Sequence, residues 1–228
     1  MLKLEGITIK YKKKTVLENV DFYSAPGEIV GLLGANGSGK STLLSVIAGA
    51  KKAFSGELSL NDIKFSENPD EYRSHMGYVP QENPLIAELS AIDNLRIWSD
   101  VGKDDMRTLI GSAPLSILGV AEFADNKVNS LSGGMKKRLS ITATLITKPK
   151  VLLMDEPFAA LDMVAKHDIM DYIVGYKNSG GTVIIASHEE SVLDFCDRIY
   201  FINSGMVKEI NRGNDFKYVD ILRGKVNV

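Results

Sequence analysis

The residues best suited to chemistry in this 228-residue chain form one run, Gly34-Ala35-Asn36-Gly37-Ser38-Gly39-Lys40-Ser41-Thr42. The run matches the phosphate-loop pattern G-x-x-x-x-G-K-[ST] at every fixed position. Glycines allow backbone conformations that a side chain forbids, so successive N–H groups can turn inward around a polyphosphate. Lys40 adds a positive charge for the terminal phosphates, and the Ser41 hydroxyl is suited to a magnesium ion. The run therefore predicts a site for a nucleotide polyphosphate.

The segments on either side of this glycine loop have the character that such a site requires. Before it, Glu28 to Leu33 is a short apolar run typical of a buried strand, and after it Thr42 to Gly49 has helical spacing and ends on a glycine. A helix that starts near Lys40 directs its positive N-terminal dipole at the same anion. The alternative, an ordinary glycine turn that matches by chance, does not explain the strand and the helix.

A second candidate group lies at the end of another apolar segment. Val151 to Met154 lead directly to Asp155 and Glu156, so two carboxylates follow a predicted buried strand at the end where α/β sheets bind ligands. Asp155 is suited to hold magnesium, directly or through water. Glu156 is suited to accept a proton from, or to orient, a water that attacks the γ-phosphate. Strands that end in acids are common, and the pair gains this meaning only beside a phosphate loop.

Composition limits the class of protein. The chain is 44% hydrophobic, enough for one large domain or one domain with an inserted lobe. A net charge of −2 argues against nucleic acid as a partner, because its binders usually carry a strongly basic face. The single cysteine, Cys196, excludes an internal disulfide and a cysteine metal cluster. No apolar run approaches the roughly 20 residues of a membrane span, so we expect any span to belong to another chain.

Strand and helix patterns alternate along most of the sequence. Apolar and polar residues alternate over Leu2 to Ile9 and Val16 to Phe22, which predicts antiparallel strands. Later patterns predict strands at Gly56 to Leu60, Gly77 to Val79, Val151 to Asp155 and Thr182 to Ala186, a helix from Val164 to Tyr176, and a hairpin around Asn203 to Gly205. This order predicts an α/β fold with a mostly parallel sheet.

Residues 82–148 differ in character, because helical patterns dominate there. Ser90 and Asp93 have the spacing of a capping box, and Ile92, Leu95 and Trp98 follow at helical spacing. We interpret this apolar stripe as the core of a lobe, with a partner-facing patch as the alternative. The sequence thus predicts a nucleotide-binding core from 1–81 and 149–228, with 82–148 as an inserted helical subdomain.

A third motif carries a family resemblance. Leu131-Ser132-Gly133-Gly134-Met135, upstream of the acid pair, resembles the LSGGQ signature of ATP-binding cassette (ABC) proteins and differs from it at Met135. Ser132 and the glycines predict a second helix N-terminus, and hence a second anion site. Through about Val207 the chain resembles the ATP-binding subunit of an ABC transporter. The resemblance implies a P-loop NTPase core with an N-terminal antiparallel β subdomain, and a dimer in which each signature covers the ATP and Mg²⁺ of the other subunit.

The resemblance also assigns roles to single residues. It implies that Tyr11 stacks on adenine, that Gln81 senses magnesium and the γ-phosphate, that Asp162 of Ala160-Leu161-Asp162 contacts the partner subunit, and that His188 is the switch histidine at the γ-phosphate. From the residues alone, Tyr11 could equally pack in a core. Lone histidines are more often structural, and we interpret His75 and His167 in that way.

These features together predict an ATPase that drives transport. The expected partners are a second ATPase subunit, identical or related, and a separate transmembrane permease that holds the chain at the cytoplasmic face of the membrane. Met135 followed by Lys136-Lys137-Arg138 resembles the stand-alone ATPases of small export systems. The alternative is a non-transport ABC protein that acts on ribosomes or DNA. A GTPase is excluded because Asn126-Lys127-Val128-Asn129 lacks the aspartate that reads guanine. The transported substrate is not encoded in this chain.

Overall fold

A computed structural model of the protein describes residues 1–12, 14–159, 161–210 and Tyr218. Ala160 of the predicted partner loop lies outside the described residues, as does most of the sequence after 210. The strands are β1 (Leu2–Tyr11), β2 (Lys14–Ser24), β3 (Ile29–Leu33), β4 (Ser55–Leu60), β5 (Ile63–Lys64), β6 (Met76–Val79), β7 (Val151–Asp155), β8 (Thr182–Ala186), β9 (Arg198–Asn203) and β10 (Met206–Glu209). The helices are α1 (Lys40–Ile47), α2 (Pro69–Ser74), α3 (Ala91–Arg96), α4 (Lys103–Ile110), α5 (Gly133–Leu145), α6 (Met163–Asn178) and α7 (Glu190–Asp194).

The strands form two sheets. A four-stranded antiparallel sheet has the order β2-β1-β4-β5, and a six-stranded sheet has the order β10-β9-β3-β8-β7-β6. In the larger sheet β6, β7, β8, β3 and β9 run parallel, and β10 closes the edge as the antiparallel arm of a hairpin. The predicted α/β class, the antiparallel N-terminal strands and the hairpin are confirmed.

The central parallel strands are buried on both faces, as their continuous apolar runs require. Every residue of β3, β7 and β8 is buried. Alternate residues of β7 belong to different cores: Leu152 and Met154 pack with the helices that follow residue 90, whereas Val151 and Leu153 pack with α1 and the antiparallel sheet. The six-stranded sheet therefore separates two hydrophobic clusters.

The segment 82–148 contains α3, α4, α5 and three short 3₁₀ helices, at Leu115–Leu118, Val120–Phe123 and Val128–Ser130. Ser90 caps α3 as its spacing predicted, because its hydroxyl accepts a hydrogen bond from the Asp93 amide at 3.2 Å. The segment is helical as expected, and the domain boundaries themselves stay a prediction. In the part of the chain that the structure describes, no helix combines the length and apolar character needed to cross a membrane.

The predicted apolar stripe is correct at two of its three positions. Ile92 and Leu95 are fully buried in the core beside the helices. Trp98 is 53% exposed, so its assignment to the core of the lobe is wrong. Helix α3 ends at Arg96, and Trp98 therefore lies beyond the last helical turn and leaves the face that the spacing assigned to it.

Candidate functional site

A cleft of about 530 Å³ lies at the carboxyl ends of β3, β6, β7 and β8. It brings together segments that are far apart in the chain. The lining residues are Val16, Asn36, Gly37, Gly39, Lys40, Ser41, Thr42, Gln81, Asp155, Glu156, Ala159 and His188. The glycine loop, the acid pair, Gln81 and His188 thus share one cavity, and their roles there stay predictions.

The glycine loop connects β3 to α1 in a conformation that depends on its glycines. Gly39, the N-cap of α1, has φ +114°, and Gly37 has φ +78°, both in the region that side chains disfavour. A Cβ on Gly34 would lie 2.5 Å from the Ser38 hydroxyl and 2.6 Å from the Ile202 carbonyl, so any larger residue would displace the loop. Because Gly39 has no side chain to cap α1, its first-turn amides stay available to an anion.

Lys40 reaches back along this loop. Its side chain is 7% exposed, and Nζ donates to the Gly34 carbonyl at 2.7 Å and to the Ala35 carbonyl at 3.3 Å. Burial lowers the pKa of Lys40, and the carboxylates of Glu156 and Asp155 partly oppose that shift. The ammonium is therefore held beside the loop, where a terminal phosphate would add the strong counter-charge that it lacks.

Asp155 has the features of a metal ligand. It is 2% exposed, and its Oδ1 is buried without a hydrogen-bond partner among the described residues. Ser41 and Gln81 line the same cleft. Within the described residues no group of three or more His, Cys, Asp or Glu side chains could hold a metal. Magnesium commonly binds through one or two carboxylates, waters and phosphate oxygens, so this donor set fits Mg²⁺ together with a nucleotide.

Glu156 adopts a strained backbone conformation directly after β7. Its φ is +46°, and its amide donates to the Ala186 carbonyl at 3.0 Å, which ties it to the end of β8. The side chain lies in the cleft with Oε1 3.0 Å from Nδ1 of His188. Left-handed backbone at a residue other than glycine costs about 1–3 kcal/mol and is concentrated at functional sites. The strain directs this carboxylate toward the loop and the histidine.

Tyr11 lies at the end of β1 and is 42% exposed, so it does not pack in a core. Lys51 fixes it from one side: Nζ lies 2.8 Å from the phenol oxygen and 5.1 Å from the ring centroid. The hydrogen bond from Lys51 is the main cause that lowers the pKa of Tyr11. The exposed ring is compatible with stacking on a base, and that role stays a prediction. The sequence carries no local signal for the contact between Lys51 and Tyr11, which are 40 positions apart.

The signature residues lie outside the set that lines the cleft. Ser132 is the N-cap of α5, and its hydroxyl accepts a hydrogen bond from the Met135 amide at 3.2 Å. A Cβ on Gly133 would meet no atom within 4 Å, so the backbone there faces open space. Met135 is partly buried against the core beside the helices, and Leu131 is buried. This helix end is exposed, and in the described part of the chain its residues do not line the cleft that contains the glycine loop.

Asp162 is the N-cap of helix α6. Its Oδ1 accepts a hydrogen bond from the Ala165 amide at 2.8 Å, which fixes the start of α6. The two apolar residues that follow, Met163 and Val164, are strongly exposed. An exposed apolar pair beside a helix cap is suited to contact with another chain, and the partner role of Asp162 stays a prediction.

Comparison with known proteins identifies the family. A family model described as ABC transporter matches residues 17–159. The linearmycin resistance ATP-binding protein LnrL of Bacillus subtilis (strain 168) is 35% identical over 94% of this chain and 70% of its own length. The lipopolysaccharide export system ATP-binding protein LptB of Haemophilus influenzae is 31% identical over 91% of this chain and 88% of its own. A dimeric structure of a post-hydrolysis state of the ATP-binding cassette MJ0796, bound to ADP and Pi, superposes with a TM-score of 0.82 at 32% identity, covering 93% of this chain and all of that one. The chain therefore belongs to the ABC transporter family, as an ATP-binding subunit with ATPase activity.

Proposed function

We propose that the chain binds ATP with Mg²⁺ in the cleft, closes as a dimer around two ATP molecules, and drives export through separate membrane subunits. One observation carries the proposal. The Lys40 loop shares a single cavity with Gln81, Asp155, Glu156 and His188, which come from the ends of different strands.

The site residues have distinct proposed roles. The loop Gly34 to Thr42 and Lys40 bind the phosphates, and Tyr11 binds the base. Asp155, Ser41 and Gln81 would hold Mg²⁺, which when bound neutralises charge on the phosphate oxygens. Glu156 accepts the proton of the attacking water, and His188, 3.0 Å from its Oε1, orients that carboxylate and approaches the γ-phosphate. The Lys40 ammonium stabilises the negative charge that develops on the transferred phosphoryl group.

A dimer follows from the position of the signature. Leu131-Ser132-Gly133-Gly134-Met135 begins a helix at an exposed surface, away from the cleft of its own chain. The amides and hydroxyl of such a helix start can bind an anion held by another subunit. The exposed Met163 and Val164 beside Asp162 supply apolar area for the same contact. The dimeric form of the MJ0796 cassette supports this arrangement.

A membrane permease is the proposed second partner. A groove of about 210 Å³ lies between β6, α5 and the segment after Gln81, and its lining includes Tyr78, Leu85, Trp98, Ala143 and Thr147. The exposed Trp98 at its rim is suited to an apolar helix of another protein. Binding there would place the chain at the cytoplasmic face of the membrane.

Export is favoured over import by the names of several relatives. LptB belongs to a lipopolysaccharide export system, and a Nod factor export ATP-binding protein of Cupriavidus metallidurans is 31% identical over 96% of this chain. The spermidine/putrescine import ATP-binding protein PotA of Mycoplasma mycoides is 32% identical over 92% of this chain, so identity alone does not decide direction. The Met135-Lys136-Lys137-Arg138 run favours the export systems.

The test has two steps. A photo-crosslinking residue at Trp98, in cells that express the full chain, should capture an integral membrane protein, with the same residue at Ile117 as an exposed control on another surface. In inverted vesicles that contain the captured permease, ATP added outside should drive uptake of its substrate, and Glu156→Gln should abolish it. Crosslinks to ribosomal proteins alone would contradict a transport role, and ATP-driven loss of substrate from inverted vesicles would reverse the direction.

A further inference from the structure

Lys137 is a buried charge that none of the proposed catalytic steps uses. It lies on α5, five residues after Ser132, and is 4% exposed. Its Nζ donates to the Gln81 carbonyl at 2.9 Å and to the Pro80 carbonyl at 3.1 Å. A buried ammonium is costly unless it is hydrogen-bonded, so these two bonds fix the side chain in one place. Lys137 therefore joins the signature helix to the loop that presents Gln81 to the cleft.

A second part of α5 packs against β6, the strand that precedes Pro80 and Gln81. A Cβ on Gly77 of β6 would lie 2.8 Å from Thr144 Cγ2, so strand and helix approach more closely there than a side chain would allow. Residues 77–81 and α5 are thus in contact at two points, near Thr144 and near Lys137. Since Lys137 is nearer to Ser132, a displacement of Gln81 acts on the N-terminal half of the helix.

The loop after Gln81 is held at a second position by a neutral side chain. Asn94 of α3 is 2% exposed, and its Oδ1 accepts from the Ile86 amide at 2.8 Å while its Nδ2 donates to the Ile86 carbonyl at 3.0 Å. The segment between Gln81 and Ile86 is thereby attached to α5 at its start and to α3 at its end. It can transmit a displacement to the helices because both attachments are made by buried side chains, Lys137 and Asn94.

We propose that Lys137 is a positioning residue that couples Gln81 to the signature: when a nucleotide in the cleft engages the Gln81 side chain, the Gln81 carbonyl moves Lys137 and with it the Ser132 end of α5. Ser132 and Lys137 are separated by five positions, which is about 7.5 Å along a helix axis. The inference rests on the proposed function, because it requires nucleotide in the cleft and a use for the signature in a second subunit. A purely structural Lys137 would stabilise the fold without carrying this response.

The experiment compares Lys137→Met, which keeps the length and removes the donors, with Lys137→Arg, which restores donors, and with Lys136→Met as a control one residue earlier on the helix. Hydrogen exchange is measured on peptides from the glycine loop and from 131–139, with and without ATP and Mg²⁺, at a concentration where sedimentation shows monomer. In the wild type both peptides should respond to ATP. In Lys137→Met the loop peptide should respond normally, with affinity within about twofold, whereas the response of 131–139 is lost and kcat falls about tenfold.

Lys137→Arg should recover most of kcat, and Lys136→Met should resemble the wild type. If the hydrogen exchange of 131–139 in Lys137→Met still responds to ATP as in the wild type, the coupling is overturned. The coupling is also overturned if the loss of kcat is fully explained by a lower melting temperature. If Lys137→Met does not fold, Lys137→Gln, which is too short to reach both carbonyls, replaces it under the same criteria. A wild-type chain whose glycine loop shows no response to ATP would instead overturn the proposed function, and the coupling with it.

Discussion

Two helices of this protein begin at sequences that predict anion binding, and their first turns differ. Helix α1 starts after Gly39, which offers no side chain to its first-turn amides, and the buried Lys40 lies over the same loop. Helix α5 starts at Ser132, whose hydroxyl already accepts a hydrogen bond from the Met135 amide. The first is enclosed by a cleft with two carboxylates, and the second is exposed.

We infer from this difference that α1 forms a binding site within one chain and that α5 forms half of a site shared with a second chain. At α1 the amides, an ammonium and the carboxylate that we propose as a metal ligand converge, so one chain is expected to bind nucleotide alone. At α5 the helix satisfies part of its own hydrogen bonding, so it is stable without ligand and gains contacts only when an anion approaches from another chain. Binding and closure should therefore be separable by mutation.

The largest expected effect isolates chemistry from both helix ends. Glu156→Gln should lower turnover about a thousandfold, the scale of a lost general base, because the amide cannot accept a proton from water. Binding at α1 and closure at α5 should persist, so ATP should hold the variant as a dimer. Phosphate release and sedimentation with ATP measure the two outcomes. Glu190→Gln, an exposed acid on α7, is the control, and normal hydrolysis by Glu156→Gln would remove that residue from its role.

The next effect belongs to α1. Lys40→Ala should weaken ATP binding about a hundredfold, because it removes charge-assisted hydrogen bonds to the phosphates. Calorimetric titration of the single chain measures the loss, and Lys52→Ala, an exposed lysine beyond the same helix, should bind normally. Retained affinity in Lys40→Ala would show that the loop amides alone hold the nucleotide.

The matching effect at α5 should spare affinity. Ser132→Arg places a bulky cation at the exposed helix start, so we expect binding to the single chain within about twofold and turnover lowered about thirtyfold, as for coupling between two sites. Mixing Lys40→Ala with Ser132→Arg sharpens the comparison, because one of the two composite sites in a mixed dimer is intact. Recovery of hydrolysis on mixing supports the half-site. If both variants lose ATP binding equally, then binding and closure are not separate functions of the two helix ends.

The smallest effect concerns stability. Ser132→Ala removes the side-chain cap of α5 and should lower the free energy of unfolding by about 1 kcal/mol, while Ser132→Thr, which retains a hydroxyl, should lose less. Urea denaturation measures both, with the exposed Ser116→Ala as the control. A much larger loss of stability would mean that Ser132 mainly stabilises the fold, which would contradict the proposed role of this helix start in binding an anion.

Much of the fold could be predicted because its signals are local. The buried strands of the larger sheet, the caps at Ser90 and Ser132, and the order of motifs follow from periodicity and spacing within a few residues. Trp98 was wrongly assigned to the core because the helical spacing in the sequence continues after Arg96, whereas the helix itself ends there. The short strand β5 was not predicted, and neither was α2, although Pro69 at its first position and Asp70 and Glu71 in its first turn are a helix-start signal.

The candidate site was predictable as a set of residues and not as a set of contacts. Glu156 was singled out by its place after a strand and His188 by the family resemblance, yet their 3.0 Å contact spans 32 residues of sequence and depends on the adjacency of β7 and β8. Lys51 and Lys137 were only members of basic runs in the sequence. Their contacts with Tyr11 and with the Gln81 carbonyl arise from packing between distant segments, which spacing does not encode.

The exposed start of α5 has a consequence for how the activity depends on the amount of protein. If each cleft is completed by a helix from another chain, hydrolysis in dilute solution is second order in protein, and specific activity should rise as the chain is concentrated. Two copies held side by side by one membrane complex would experience a high effective concentration, and this dependence would vanish. The same geometry would keep free chains nearly idle and make assembly itself the condition for turnover.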